Sequence, residues 1–179
     1  MSTKRHREVA LLFAGTLFSD EGVYRGALSL LKQHLGPVLF ESDRIAWDLT
    51  RYYSDELGTP ITRRFIFFER LVEASLLPDI KILTDDMESH HLLGGRRRIN
   101  IDPGYLTEAK IVLASTKNYS HRIYLGKGIY AEQEYIYSKG AYRPFSHAYP
   151  DYRKPEYLAV FQQARQYFRQ NLTANPVNI

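Results

Sequence analysis

The sequence predicts an α+β fold, and three observations predict it. Runs rich in β-formers alternate with helical stripes, two glycine-centred turns stand between alternating segments near the C-terminus, and 44% of the 179 residues are hydrophobic. Glu8 to Ala14 reads as a buried strand. Ser19 or Asp20 then caps a helix with Val23, Ala27, Leu30, Leu31 and Leu35 on one stripe, stopped by Gly36-Pro37. Residues 38–48, VLFESDRIAWD, and 61–69, ITRRFIFFE, read as paired strands, with Asp55, Gly58 and Pro60 in the polar loop between them. Pro78 opens a second helix with Ile80, Leu83, Met87 and His91 on a stripe, and Gly94-Gly95 ends it before a strand from Arg97 to Ile101.

The order βαββαβ over residues 8–101 is that of a ferredoxin-like core, an antiparallel sheet with both helices on one face. Residues 102–170 extend it. Asp102-Pro103 has the form of an N-cap followed by proline at the first helical position, with Leu106, Ala109, Val112 and Leu113 facing inward from a short helix. A β-meander follows: HRIYL and GIYAEQEYIY flank Gly126-Lys127-Gly128, which sets Tyr124 opposite Tyr130 and Arg122 opposite Glu132. Ser138-Lys139-Gly140 makes a second turn before AYRPF. The final helix starts near Pro155 with Tyr157, Phe161, Ala164 and Phe168 inward, and residues 171–179 form a frayed tail. No repeat or linker divides the chain, so residues 1–179 are read as one domain.

Composition narrows the classes of function. The chain has no cysteine, which excludes disulfides, thiolate metal sites and a Cys nucleophile, and fits a reducing compartment. Basic residues open the amino end, but the apolar run Val9–Ala14 breaks at Gly15 and is strand-sized, and no segment has the roughly 18 apolar residues of a membrane helix. A cytoplasmic protein without membrane contact is expected. Fourteen tyrosines suit half-buried sheets, and equally pockets or interfaces.

Charge is concentrated in one stretch. The chain has 24 Lys+Arg and 20 Asp+Glu, a formal +4; residues 96–132 contain seven of the cations and three of the acids, so the remainder balances. That points to an anionic partner. Thr116-Lys117-Asn118-Tyr119-Ser120-His121-Arg122 places cations among hydrogen-bonding side chains, and Lys117 with Arg122 is the best anion-site candidate. Arg98, Lys110 and Lys127 are further candidates. Of the three successive arginines, strand alternation lets Arg96 and Arg98 share a site while Arg97 faces away. Lys127 rides a glycine-flanked tip. His121 is suited to proton transfer near neutral pH, or to a structural role. Asp102 is read as a helix cap first, and as a general base or metal ligand second. Glu132 is a candidate acid, or the partner that orients Arg122. His90-His91 with Asp86 diverge too far on a helix to make a metal site, and none is assigned.

Walker, dinucleotide-binding, nucleophile-elbow and zincin motifs are all absent. The segments FAGTLFSDE, RRFIFFE, RRINIDPGYLT, STKNYSHRIYLGKGIYAE and YPDYRKPEY together resemble the bacterial family described as domain of unknown function 4416, over nearly the whole chain. The resemblance brings no activity, cofactor or catalytic residue with it. Some members carry a GTP-binding label, yet Tyr119 stands where a guanine-reading [Asn/Thr]-Lys-x-Asp motif needs a carboxylate.

Three functions follow as expectations. The first is an anion site for a nucleotide or other phosphorylated ligand, with or without Mg²⁺. If that site is catalytic, phosphoryl or nucleotidyl chemistry suits its cations, with Asp102 or Glu132 holding the metal. The second is RNA binding on an aromatic sheet with a basic rim. The third is a noncatalytic scaffold or homo-oligomer subunit whose tyrosines are interface.

Overall fold

The computed structural model describes residues 7–174. In chain order the elements are β1 (Val9–Phe18), α1 (Glu21–Leu35), β2 (Val38–Glu41), β3 (Ile45–Trp47), α2 (Ser54–Leu57), β4 (Ile61–Glu73), α3 (Leu77–Ser89), β5 (Ile99–Leu106), β6 (Lys110–Ser115), β7 (Ile123–Gly126), β8 (Ile129–Ser138), β9 (Ala141–Pro144) and α4 (Pro155–Ala174). Among the described residues the nine strands form one antiparallel sheet. Its order is β2-β4-β1-β5-β6-β8-β7, with β3 also on β4 and β9 also on β8.

The central strand β1 is apolar on both sides because helices cover both faces of the sheet. Leu11 and Phe13 point to one face, where Phe65, Phe67 and Tyr135 meet Tyr157, Phe161 and Phe168 of α4. Leu12, Ala14 and Phe18 point to the other, where Ile66, Phe68, Ile99 and Ile101 meet Tyr24, Ala27 and Leu31 of α1 and Ile80 and Met87 of α3. The Phe161 ring stands edge-on to Phe13 and Phe65, at centroid distances of 4.9 and 5.0 Å, a favoured aromatic arrangement. Gly104 makes this packing possible: a Cβ there would lie 2.5 Å from both the Phe13 ring and the Val112 carbonyl.

Most of the local signals act as read. Asp20 caps α1 by accepting from the Val23 N–H at 3.1 Å, and the α4 stripe Tyr157, Phe161, Ala164 and Phe168 is buried. The hairpin sets Tyr124 opposite Tyr130 and Ile123 opposite Ala131. Its turn is the two-residue Lys127-Gly128, both with positive φ, and the ladder shifts by one residue beside it. The stretch 38–48 is two strands, interrupted where Ser42 turns inward to accept from the Phe65 N–H at 3.0 Å.

One element is corrected. The helix expected after Asp102 does not exist: Asp102 and Pro103 lie within β5, opposite Gly15 and Ala14 of β1, and of the residues that would have formed its inward face Leu106 is in β5, Ala109 in the turn, and Val112 and Leu113 in β6. The cap-and-proline signal is local, while pairing along β1 is not, and the long ladder wins. Likewise β5 begins at Ile99, two residues later than expected. Of the tail read as frayed, residues 171–174 continue α4, and 175–179 lie outside the described residues.

Candidate functional site

β5 and β6 pair at only three positions, Gly104–Leu113, Tyr105–Val112 and Leu106–Ile111. Towards Ile99 the strands part. The backbone left without a neighbour is satisfied by α3: the Ile101 N–H donates to Glu88 Oε1 at 2.6 Å, and its carbonyl accepts from Lys81 Nζ at 3.3 Å. Two buried charged side chains thus stand in for a strand. Antiparallel alternation turns the nitrogen of Pro103 to the same side as that of Ile101, where a residue without N–H leaves no donor unpaired.

A cavity of about 490 Å³ lies at this split, between β5, β6 and the segments 47–53 and 149–152. At its buried end is Arg63 of β4, whose Nη2 donates to Asp151 at 3.0 Å and whose Nε donates to the Tyr157 hydroxyl at 3.1 Å. Asp151 also accepts from Trp47 Nε1 at 3.2 Å. Burial alone would lower the pKa of Arg63, but Tyr157 and Asp151 hold it above its ordinary value, so the guanidinium stays charged. Arg63 Nη1 and the Tyr152 hydroxyl are buried without a partner among the described residues. Gly15 leaves space for the arginine, since a Cβ there would come within 3.1 Å of Nη1.

Lys81 and Arg97 line the same cavity. Lys81 is 3.0 Å from Asp85 and 3.5 Å from Asp102; burial opposes its charge, and those carboxylates with Glu88 raise its pKa overall. Arg97 grips Glu56 with two bonds of 2.7 and 2.9 Å and reaches Glu88 at 2.8 Å and Asn100 at 3.1 Å, tying α2, α3 and β5 together. Its bonds to Glu56 raise its pKa well above the usual value and lower that of Glu56.

Arg122 builds the opposite wall. Its guanidinium donates to Glu132 at 2.6 Å, to the Ser115 hydroxyl and the Lys117 carbonyl at 2.8 Å each, and to the Tyr149 hydroxyl at 2.7 Å. Ser115, Lys117 and Tyr149 all line the cavity, so Arg122 spends its donors on positioning that wall. Glu132 also meets His121 Nε2 at 3.0 Å, and His121 stacks on His147 at a centroid distance of 4.5 Å. Next on the strand, Glu134 is fully buried; burial and then the Glu132 charge push its pKa up to about 9. One oxygen accepts from the Tyr149 N–H at 3.1 Å, and the other has no partner among the described residues.

The sequence candidates are therefore dispersed. Lys117 and Asp102 line the cavity, and Arg122, Glu132 and His121 stand behind its wall. Lys117 has no carboxylate partner among the described residues, and its ammonium lies 5.5 Å from the Tyr52 ring centre. Asp102 accepts from Asn100 at 2.7 Å. Arg98 pairs with Asp20 at 2.5 Å, Lys110 with Glu8 at 2.8 Å and Lys127 with Asp79, at three separate places. The premise that at most Arg96 and Arg98 could serve one site is corrected: the three arginines precede β5, strand alternation does not govern them, and Arg97 is the one that lines the cavity.

Arg63, Lys81, Arg97 and Asp151 are the residues that sequence reasoning missed. Arg63 did leave a signal, being a charge at a position that alternates inward with Phe65 and Phe67. Phe65, Phe67 and Phe68 are themselves fully buried, so this strand presents no aromatic platform to RNA. Among the described residues no three His, Asp or Glu side chains converge as a metal ion requires, and no helix is long and apolar enough to cross a membrane.

No curated protein and no solved structure matches the chain. A family model matches residues 8–168, a span that includes the full ladder, the β5–β6 split and every charged group around the cavity; the chain belongs to the family described as domain of unknown function DUF4416.

Proposed function

We propose that the cavity at the β5–β6 split binds an anionic ligand carrying a ring, a nucleotide or other phosphorylated compound. One observation carries this reading: two cationic donors without an acceptor among the described residues, Lys117 Nζ and Arg63 Nη1, belong to side chains lining one cavity that is also walled by Trp47, Tyr52, Tyr53 and Tyr149. Aromatic walls with a few placed polar groups are the usual make-up of a small-molecule site, and the volume lies within the common range of about 300–1,000 Å³. Asp102 is the carboxylate placed to accept from ligand hydroxyls, and Arg122, Glu132 and His121 position the wall. Arg98, Lys110 and Lys127 act as surface ion pairs in this reading.

Thermal unfolding with nucleotides and sugar phosphates, with and without Mg²⁺, tests it. A ligand at about a hundred times its Kd adds about 2.7 kcal/mol, a rise of several degrees. If no compound in the panel raises the melting temperature, the reading fails.

A ferredoxin-like core within the sheet belongs to the same proposal. Its support is the strand order β2-β4-β1-β5, all antiparallel, with α1 and α3 on one face; β6 to β9 and α4 are then additions to one edge and the second face. A cytoplasmic location is supported by the absence of cysteine. Self-association is a second reading, favoured by the edge strand β7, which exposes Ile123, Tyr124 and Leu125. Light scattering on the eluting protein tests it, and a monomer at every concentration would end it.

A further inference from the structure

Among the described residues, four buried polar side-chain atoms have no hydrogen-bond partner: Arg63 Nη1, His91 Nε2, Glu134 Oε1 and the Tyr152 hydroxyl. Two of the four, Arg63 Nη1 and the Tyr152 hydroxyl, belong to side chains that line the cavity at the β5–β6 split. A buried donor left unpaired is costly, and more so when it is charged. The arginine is also held in place. Its Nε donates to Tyr157 and its Nη2 to Asp151, so two of its three nitrogens fix the plane and Nη1 is the one left over. Asp151 takes Arg63, Trp47 and Tyr157 on the same oxygen, Oδ2.

We infer that the buried end of the cavity takes an uncharged carbonyl oxygen carried on the ligand's ring, which accepts at once from Arg63 Nη1 and the Tyr152 hydroxyl. This rests on the ligand-site reading above and gives the ring a class, an amide or lactam. Charge excludes an acid at this point. Arg63 is already offset by Asp151 at 3.0 Å, with both side chains buried, and a carboxylate or phosphate on Nη1 would set a second negative charge beside Asp151 where solvent screens little. Proton count excludes an alcohol. A guanidinium nitrogen can only donate, and a phenol hydroxyl can turn to donate. A carbonyl oxygen has two lone pairs and no hydrogen, so it satisfies both donors. A ring alcohol that accepted from Nη1 and donated to the phenol would leave the phenol hydrogen without an acceptor. The bond from the guanidinium is charge-assisted, hence stronger than one between neutral groups.

NMR titration of the full chain tests the inference with benzamide, benzoate and benzyl alcohol, and with hypoxanthine and adenine, since each series keeps one ring and changes the group on it. Benzamide is expected to bind about tenfold more tightly than benzoate or benzyl alcohol, and hypoxanthine about tenfold more tightly than adenine. Tyr152→Phe should weaken benzamide about three- to tenfold. It should leave the melting temperature of the ligand-free chain unchanged or higher, because it deletes a hydroxyl that the fold does not pair. Benzoate or benzyl alcohol equal to benzamide, adenine equal to hypoxanthine, or Tyr152→Phe without effect on benzamide would each overturn the inference while leaving a ligand site in place. So would a melting temperature several degrees lower in Tyr152→Phe, the result expected if an ordered water already completes the hydroxyl. Binding by none of the five compounds also overturns it. The nucleotide and sugar-phosphate panel then decides the rest: a compound that raises the melting temperature keeps the ligand-site reading, and none ends both.

Discussion

β5 meets its two neighbours in opposite ways. Against β1 it pairs along its whole length, from Leu106 opposite Leu11 to Ile99 opposite Phe18; against β6 it pairs at three positions and then parts. On the first side the backbone is satisfied by backbone, and the side chains above and below are mostly apolar. On the second side a lysine and a glutamate from α3 satisfy Ile101, an arginine braces the glutamate, and a cavity opens. A buried strand edge left unpaired costs about 1–3 kcal/mol for each polar group, and continuing β6 alongside would be the simplest remedy. Buried charges cost more to place than a strand does. The comparison teaches that the split is maintained by specific side chains, and that its product is a polar hollow in an otherwise apolar sheet.

The largest effect is expected on the fully paired side. Phe13→Ala removes a ring packed on Phe65, Phe67 and Phe161 and should cost about 3–5 kcal/mol in urea unfolding. A loss of 1 kcal/mol would show that this core collapses around the gap. On the split side, Glu88→Ala strands both the Ile101 N–H and part of the Arg97 guanidinium and should cost about 3 kcal/mol. Glu88→Gln keeps an acceptor for the N–H and should recover part of that. If the two variants were equally and only slightly destabilised, α3 would not be replacing a strand.

Glu134 gives a pH signature close to the cavity wall. Its carboxyl holds a proton up to about pH 9 in the folded chain, against an ordinary value of 4.5. The stabilisation is therefore complete below pH 4.5 and is lost as pH rises towards 9, with a slope on the order of 1 kcal/mol per pH unit. Glu134→Gln should flatten the stability profile over that window, and an unchanged slope would mean that another group titrates there. The smallest effects are expected at the dispersed surface pairs. Lys110→Ala and Lys127→Ala lose exposed partners and should each change stability by no more than about 0.5 kcal/mol.

How far each region could be read from the chain follows the range of the interactions that build it. The α1 cap at Asp20, the stripe of α4 and the opposition of Tyr124 and Tyr130 are set by residues a few positions apart, and all three form as local pattern requires. Asp102-Pro103 carries an equally good local signal for a helix start, yet its neighbours are Gly15 and Ala14, almost ninety residues earlier. Arg63 is the intermediate case. Its inward place on β4 could be read from alternation, but its partners Asp151 and Tyr157 could not.

By itself the sequence determined the element types where periodicity and turns were strong, the concentration of charge in residues 96–132, and the stretch from Lys117 to Arg122 as the place to look. Only the tertiary structure decided which of those charges are free. Arg98, Lys110 and Lys127 each acquire an acidic partner and Lys117 acquires an aromatic one, whereas the Arg122–Glu132 pair could already be read from the hairpin. The physical reason is distance: an ion pair depends on where two side chains meet in space, and in this fold those three partners come from the cap of α1, from α3 and from the chain just before β1.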